Sequence, residues 1–180
     1  MPLTPFNLDI ARATPEERPI LANLLQLYIH DFSEYWSGTS QGELEDDGRF
    51  LDYPLDSYWS DPRRVPLLLR LDGRLAGFAL LNDHAHTDAP VDWNMAEFFV
   101  ARKHRGAGVG RAAAREIFSR YPGAWEVAVA RLNVRALPFW RDTIASHPAV
   151  EGGERLDMIS ELWNGPLFRF RVTAAQARTP

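Results

Sequence analysis

Residues 92–120 read DWNMAEFFVARKHRGAGVGRAAAREIFSR. The beginning, Asp92 to Val100, has the apolar and aromatic density of a strand. From Gly108 to Arg120, Val109, Ala112, Ala113 and Ile117 fall on one helical face and Arg111 and Arg115 fall away from it. Between them lies Arg105-Gly106-Ala107-Gly108-Val109-Gly110, with glycine at every second place. Without Cβ atoms the backbone there reaches φ > 0 and lets a ligand come close. The first amides of the following helix lack intrahelical partners and sit at the positive end of its dipole, so an anion fits against them. Arg102, Lys103, His104, Arg105, Arg111 and Arg115 crowd the same stretch, and this cluster could receive phosphate. A glycine turn that serves only to pack helix on strand gives the same local pattern.

Outward from this segment, the elements can be placed by periodicity and turn chemistry. Phe6 to Arg12 alternates as a first strand, and Thr14-Pro15-Glu16-Glu17 supplies an N-cap, a first-turn proline and a capping-box glutamate. A helix is expected from Pro15 to about Asp31, burying Ile20, Leu21, Leu24, Leu25 and Tyr28. Ser37 to Asp47 reads as a loop and Phe50 to Trp59 as a short helix. Val65 to Leu71 and Arg74 to Leu81 flank Asp72-Gly73, a two-residue hairpin turn. Asn82 to Pro90 is a loop. Beyond the glycine-rich helix come a strand from Trp125 to Ala130, a helix from Ala136 to Ser146, and strands at Val150 to Leu156 and Leu167 to Val172. The order is β-α-α-β-β-β-α-β-α-β-β, an α/β chain of mixed α+β type. No repeat or linker divides residues 1–180, which read as a single domain.

Composition narrows the function. Net charge is −4 over 180 residues, which does not favour a general nucleic-acid surface. The absence of cysteine excludes thiolate nucleophiles and Cys-type zinc sites and suits a cytoplasmic location. No apolar run approaches the roughly 18 residues that span a bilayer, so no membrane partner is expected. His84 and His86 lie two apart without a third nearby histidine, and no metal is assigned. Gly108-Val109-Gly110-Arg111-Ala112-Ala113 satisfies the letters of a dinucleotide fingerprint, but a hairpin precedes it. The acidic residue expected about 20 positions on would be Glu126, at the wrong end of its strand. The Walker pattern fails because no Lys-Ser or Lys-Thr follows the last glycine.

Arg105-x-x-Gly108-x-Gly110, placed between strand and helix, resembles the pyrophosphate-binding turn of GNAT-superfamily N-acetyltransferases. A second resemblance lies at the separation that family shows: Asn133, then Ala136, then the aromatic pair Phe139 and Trp140. The likeness covers about Met95 to Ile144 in motif and the remainder in element order. It implies a central mixed, mostly antiparallel sheet of roughly six or seven strands flanked by helices. It also implies transfer of an acetyl group from acetyl-coenzyme A to a primary amine, by direct attack on the thioester.

Under that resemblance the amides of Gly106, Gly108, Gly110 and Arg111 hold pyrophosphate, with Arg105, Ala107 and Val109 in the same turn. Phe98, Phe99 and Val100 present backbone to pantetheine, the Val100 amide lying near the thioester carbonyl. Asn133 bonds the pantetheine arm, and Phe139 and Trp140 pack beside it. By residue type alone, Asn133 also suits a plain turn, and Phe139 with Trp140 also suits helix-to-sheet core.

Amine acylation needs a neutral amine, and an alkylamine with a pKa of about 10.4 is mostly protonated at neutral pH. Glu97 is the candidate base, or else an edge-strand carboxylate paired to an arginine. Many relatives carry a tyrosine at the place of Trp140 to protonate the departing thiolate, which an indole cannot do. The thiolate then leaves unassisted, or Tyr28, Tyr35 or Tyr58 reaches in. The same departure admits a module that binds acyl-coenzyme A without turnover. Tyr28, His30, Asp31, Glu34, Tyr35 and Trp36, with Asp52, Tyr53, Tyr58 and Trp59, form aromatic and acidic groupings suited to a cationic amine or to helices covering a sheet. The acceptor, small molecule or peptide, is not specified by the sequence, nor is the choice between monomer and homodimer.

Overall fold

The computed structural model describes residues 6–36, 39–160 and 163–174. Seven strands form one sheet: β1 (Leu8–Arg12), β2 (Val65–Leu71), β3 (Arg74–Asn82), β4 (Trp93–Val100), β5 (Gly123–Ala128), β6 (Val150–Ile159) and β7 (Asn164–Val172). They lie in the order β1-β2-β3-β4-β5-β7-β6. Every neighbouring pair is antiparallel except β4 and β5. Helices α3 (Val109–Arg120) and α4 (Ala136–Ala145) pack on one face, and α1 (Arg18–Ser33) with the short α2 (Ser57–Ser60) packs on the other.

Both faces are therefore covered, and β2 and β3 carry continuous buried runs, Val65–Leu69 and Ala76–Asn82, instead of alternating. Leu67, Leu69, Ala79 and Leu81 enter the core beneath α3 and α4, while Leu68, Phe78 and Leu80 enter the core beneath α1. The β2–β3 turn is as expected, with Asp72 at φ 50° and Gly73 at φ 78°.

Three boundaries differ from the sequence-based expectation for local reasons. Thr14 and Glu17 do form a capping box, but Pro15–Glu17 is a single 3-10 turn and α1 proper starts at Arg18. The expected helix over Phe50 to Trp59 shrinks to Ser57–Ser60. Pro54 disfavours helical geometry at Tyr53, and the Gln26 side chain clasps the Phe50 backbone, donating to its carbonyl at 3.0 Å and accepting from its amide at 2.9 Å. The β6–β7 hairpin is longer than expected, running from Val150 to Val172 around a turn that includes residues outside the described set. The Ser37 to Asp47 loop likewise includes residues 37 and 38, which lie outside that set.

Two irregularities in β4 create the central cleft. Leu80 faces Glu97 but Leu81 faces Met95, so Ala96 is an extra residue, a β-bulge. Met95 then contributes to the α3 and α4 core, whereas Ala96 packs in the core beneath α1. The parallel β4–β5 ladder holds only at Trp93 with Trp125 and Asn94 with Glu126. Past that point the strands separate.

Candidate active site between the splayed strands

Past Asn94 the β5 side of β4 has no strand partner. The Ala101 amide donates to the Ala76 carbonyl on the β3 side, and a methyl on Gly77 would collide with the Phe99 carbonyl. Backbone groups alternate along a strand, so Phe98 and Val100 turn theirs away from β3 and into the cleft. Phe99 corrects the sequence-based expectation: its backbone serves the sheet and its buried ring joins the core under α1.

Beyond Ala101 comes a 3-10 turn at Arg102–His104 and then the glycine-rich segment. Gly106 and Gly108 have φ of 79° and 84°, and a Cβ on either would point into open space. Among the described residues, the amides from Gly106 to Arg111 take no acceptor, and the first bond into α3 runs from the Ala112 amide to the Gly108 carbonyl. This is a preformed concave set of donors at the start of a 12-residue helix. Val109 offers only its amide, since its side chain is buried in the core, and Ala107 packs against the same cluster. A side chain at Gly110 would press on the Phe139 ring, 3.4 Å away.

Two arginines of the basic stretch are drawn off to an acid on α1. The Asp31 carboxylate on α1 binds Arg102 at 2.7 Å and also Arg105, and Arg105 Nε donates to the Val100 carbonyl at 2.7 Å. Arg111 remains exposed at the lip of the turn.

Across the cleft, Asn133 ends the turn before α4. Its Oδ1 accepts from the Ala136 amide at 3.2 Å, and its side-chain NH₂ has no protein acceptor among the described residues. Phe139 stacks on Phe98 with ring centroids 6.1 Å apart. Trp140 is buried, edge-on to Phe98 at 5.2 Å and tilted against Phe118 at 6.4 Å. Both aromatics line the cleft as well as the core.

Glu97 follows the bulge on a central strand, not an edge strand, and has no arginine partner among the described residues. Burial pushes its carboxyl up to about 7, although the nearby hydroxyls of Tyr28 and Tyr53 favour the ionised form. Burial, and then the Glu97 charge, raise the pKa of Tyr28 and Tyr53, so both remain protonated donors. Tyr53 was not singled out by any motif. It reaches Glu97 from an irregular segment more than forty residues earlier in the chain.

Other candidates are employed elsewhere. Tyr58 is wholly buried, and the Trp59 indole donates to the Ala13 carbonyl at 2.9 Å. Asp52 pairs with Arg49, whereas Tyr28, Glu34, Tyr35 and Trp36 border the cleft. His84 turns to Arg64 and His86 to Glu126. No group of three potential metal ligands occurs among the described residues. Glu126 is fully buried and accepts from the His86 amide at 2.7 Å, with Arg169 at 3.4 Å, so it cannot meet a ribose.

Residues 21–143 match the sequence model of the Acetyltransferase (GNAT) family. No protein of curated function matches the sequence. Among solved structures, an acetyltransferase from Thermus thermophilus is 21% identical with a TM-score of 0.60, the match covering 92% of this chain and 97% of that one. The PaiA N-acetyltransferase of Thermoplasma acidophilum, in complex with coenzyme A, is 12% identical with a TM-score of 0.57, covering 93% and 99%. A ribosomal-protein-alanine N-acetyltransferase from Brucella melitensis is 15% identical with a TM-score of 0.53, covering 91% and 99%. These structures share the fold of this chain.

Proposed function

The chain belongs to the acetyltransferase (GNAT) family and takes its acyl group from acetyl-coenzyme A, and we propose that it delivers that group to a primary amine by direct attack of the amine on the thioester. What carries this assignment is one juxtaposition: a carboxyl with a pKa of about 7 at Glu97, three residues along β4 from the cleft-facing backbone of Val100.

Acetyl-coenzyme A supplies an acyl group activated as a thioester. The residues around it fit such a molecule. The amides of Gly106, Gly108, Gly110 and Arg111 are free to receive pyrophosphate. The Asn133 side-chain NH₂ is free to meet an amide of the pantetheine arm, with the Phe98 backbone opposite and Phe139 beside it. The Val100 amide is placed to donate to an oxygen that gains negative charge during acyl transfer. Glu97 takes the proton of the amine, directly or through one water. Trp140 forms an apolar wall and supplies no proton, so the thiolate, with a thiol pKa of about 8.5, departs unassisted.

The acceptor approaches from the side walled by Tyr28, Glu34, Tyr35 and Trp36, aromatic and acidic surfaces that suit a cationic amine. Small amines and peptide termini both meet this requirement. We take the chain to act as one catalytic domain in the cytoplasm, as monomer or homodimer; no described helix is long and apolar enough to cross a membrane. Mass spectrometry of amines incubated with enzyme and acetyl-coenzyme A tests the proposal. A primary amine gains an acetyl group and its tertiary analogue does not; acetylation of hydroxyl acceptors alone would contradict it.

A further inference from the structure

Asp31 occupies an unusual position for a surface helix carboxylate. Its side chain is only 15% exposed, and it accepts from Arg102 Nε at 2.9 Å and from Arg105 Nη2. Burial alone would raise its pKa, but the bonds and charges of Arg102 and Arg105 outweigh burial and hold the carboxyl below its ordinary range. Arg105 continues the chain of contacts: its Nε donates to the Val100 carbonyl at 2.7 Å and its guanidinium lies 5.5 Å from the centre of the Phe99 ring. The next residue is Gly106, where the positive-φ turn begins. At the other end, Asp31 is one turn along α1 from Tyr28, whose ring meets Phe99 at 6.2 Å.

A turn containing two positive-φ glycines has wide conformational freedom, and donors aimed at a ligand are effective only when held in place beforehand. Among the described residues, the ion pair that ties this turn to the acceptor-side helix runs through Asp31 and Arg105.

We propose that Asp31 and Arg105 form a clamp that presets the Gly106–Gly110 turn and the Val100 peptide against α1, so that Arg105 is a positioning residue and not itself a phosphate ligand. The proposal rests on coenzyme A binding at this turn. It assigns the arginine of the Arg105-x-x-Gly108-x-Gly110 pattern a role inside the protein, and it makes Asp31, more than seventy residues away in sequence, a determinant of cofactor affinity. Arg102, more exposed than Arg105, shares the same carboxylate and supports the clamp from outside.

A double-mutant cycle on the full chain tests this, with calorimetric affinity for coenzyme A as the readout and circular dichroism confirming the fold. Asp31→Asn and Arg105→Gln should each weaken binding about tenfold, and the double variant should be little worse than either single one. Losses that multiply to about a hundredfold would show that Arg105 meets the ligand independently, and would overturn the clamp. A second readout uses acetyl-pantetheine, which has no phosphate, as the acyl donor. The clamp requires Arg105→Gln to lower kcat/KM for this donor as well as for acetyl-coenzyme A, because Val100 is displaced in both cases. A variant that spares acetyl-pantetheine would identify Arg105 as a phosphate contact. Wild-type protein that binds no coenzyme A would defeat the proposed function itself, whereas binding with an additive cycle would defeat only the clamp.

Discussion

Glu97 is held by a hydrophobic setting that opposes its charge and by two tyrosine hydroxyls that favour it, and the balance leaves a pKa of about 7. A base of that strength works best around neutral pH. The rate at limiting substrate should therefore rise through about pH 7 in the wild-type protein, and Glu97→Gln should lower kcat about a hundredfold or more at neutral pH with little change in coenzyme A affinity. Stopped-flow or steady-state thiol release across the pH range checks both; an unchanged rate for the variant would make Glu97 purely structural. Stability provides an independent test. The folded pKa is raised from 4.5, so the native state holds a proton that the unfolded chain releases, and stability falls as pH rises through the interval up to about 7. Glu97→Gln should thus raise the melting temperature at pH 8 and leave it nearly unchanged at pH 4. Trp140→Phe should keep most turnover while costing about 1–2 kcal/mol of packing, and Trp140→Tyr should raise the rate if thiolate departure limits it. Turnover destroyed in a folded Trp140→Phe protein that still binds acetyl-coenzyme A would show that the indole N–H is required. That Glu97, Asn133 and Trp140 would share one cleft was legible because they lie within or beside local motifs. The placement of Tyr53 beside Glu97 and of Asp31 beside Arg105 was not, because only tertiary packing brings them together.

Elements carry the site through two departures from regularity. The Ala96 bulge places Glu97 just beyond an interruption in the β3–β4 register, and the short β4–β5 ladder leaves the Val100 amide without a strand partner, while the Val100 carbonyl accepts from Arg105. Gly77 supports this arrangement from β3, where the Phe99 carbonyl occupies the space a Cβ would need. Gly77→Ala should cost about 2–3 kcal/mol by forcing the strands apart. Denaturant unfolding checks the cost, and a loss below about 0.5 kcal/mol would mean that β4 adapts freely. The Asp72-Gly73 hairpin and the glycine-rich start of α3 could be read from sequence because each is set by residues next to one another. Neither the bulge nor the splay has such a signature, since both depend on what the neighbouring strand does. The shortening of the Phe50 to Trp59 helix to Ser57–Ser60 has the same origin: Gln26, on another element, satisfies the Phe50 backbone that a longer helix would have satisfied internally.

The whole molecule is a sheet covered on both faces and opened in the middle, and under the proposed function a donor entering between β4 and β5 would meet an acceptor approaching from the α1 side. The mixture of strand and helix was legible in the order of elements, and the family resemblance supplied the sheet. The insertion of β7 between β5 and β6 was not legible, because pairing between distant strands leaves no local mark. Binding at the cleft should stabilise the whole fold, by about 2.7 kcal/mol when coenzyme A is present at a hundred times its Kd. NAD and ATP, whose motifs are incomplete here, should give no comparable shift in melting temperature. Gly108→Asp brings a side chain to a φ of 84° and a negative charge to the free amides, and should abolish that shift without unfolding the protein. The most direct test of acyl transfer at this turn is thiol release from acetyl-coenzyme A with a library of primary amines, run on wild-type and Gly108→Asp proteins side by side. The account predicts release that depends on the amine and is lost in Gly108→Asp; no amine-dependent release from folded wild-type protein, or equal release from both proteins, would contradict it.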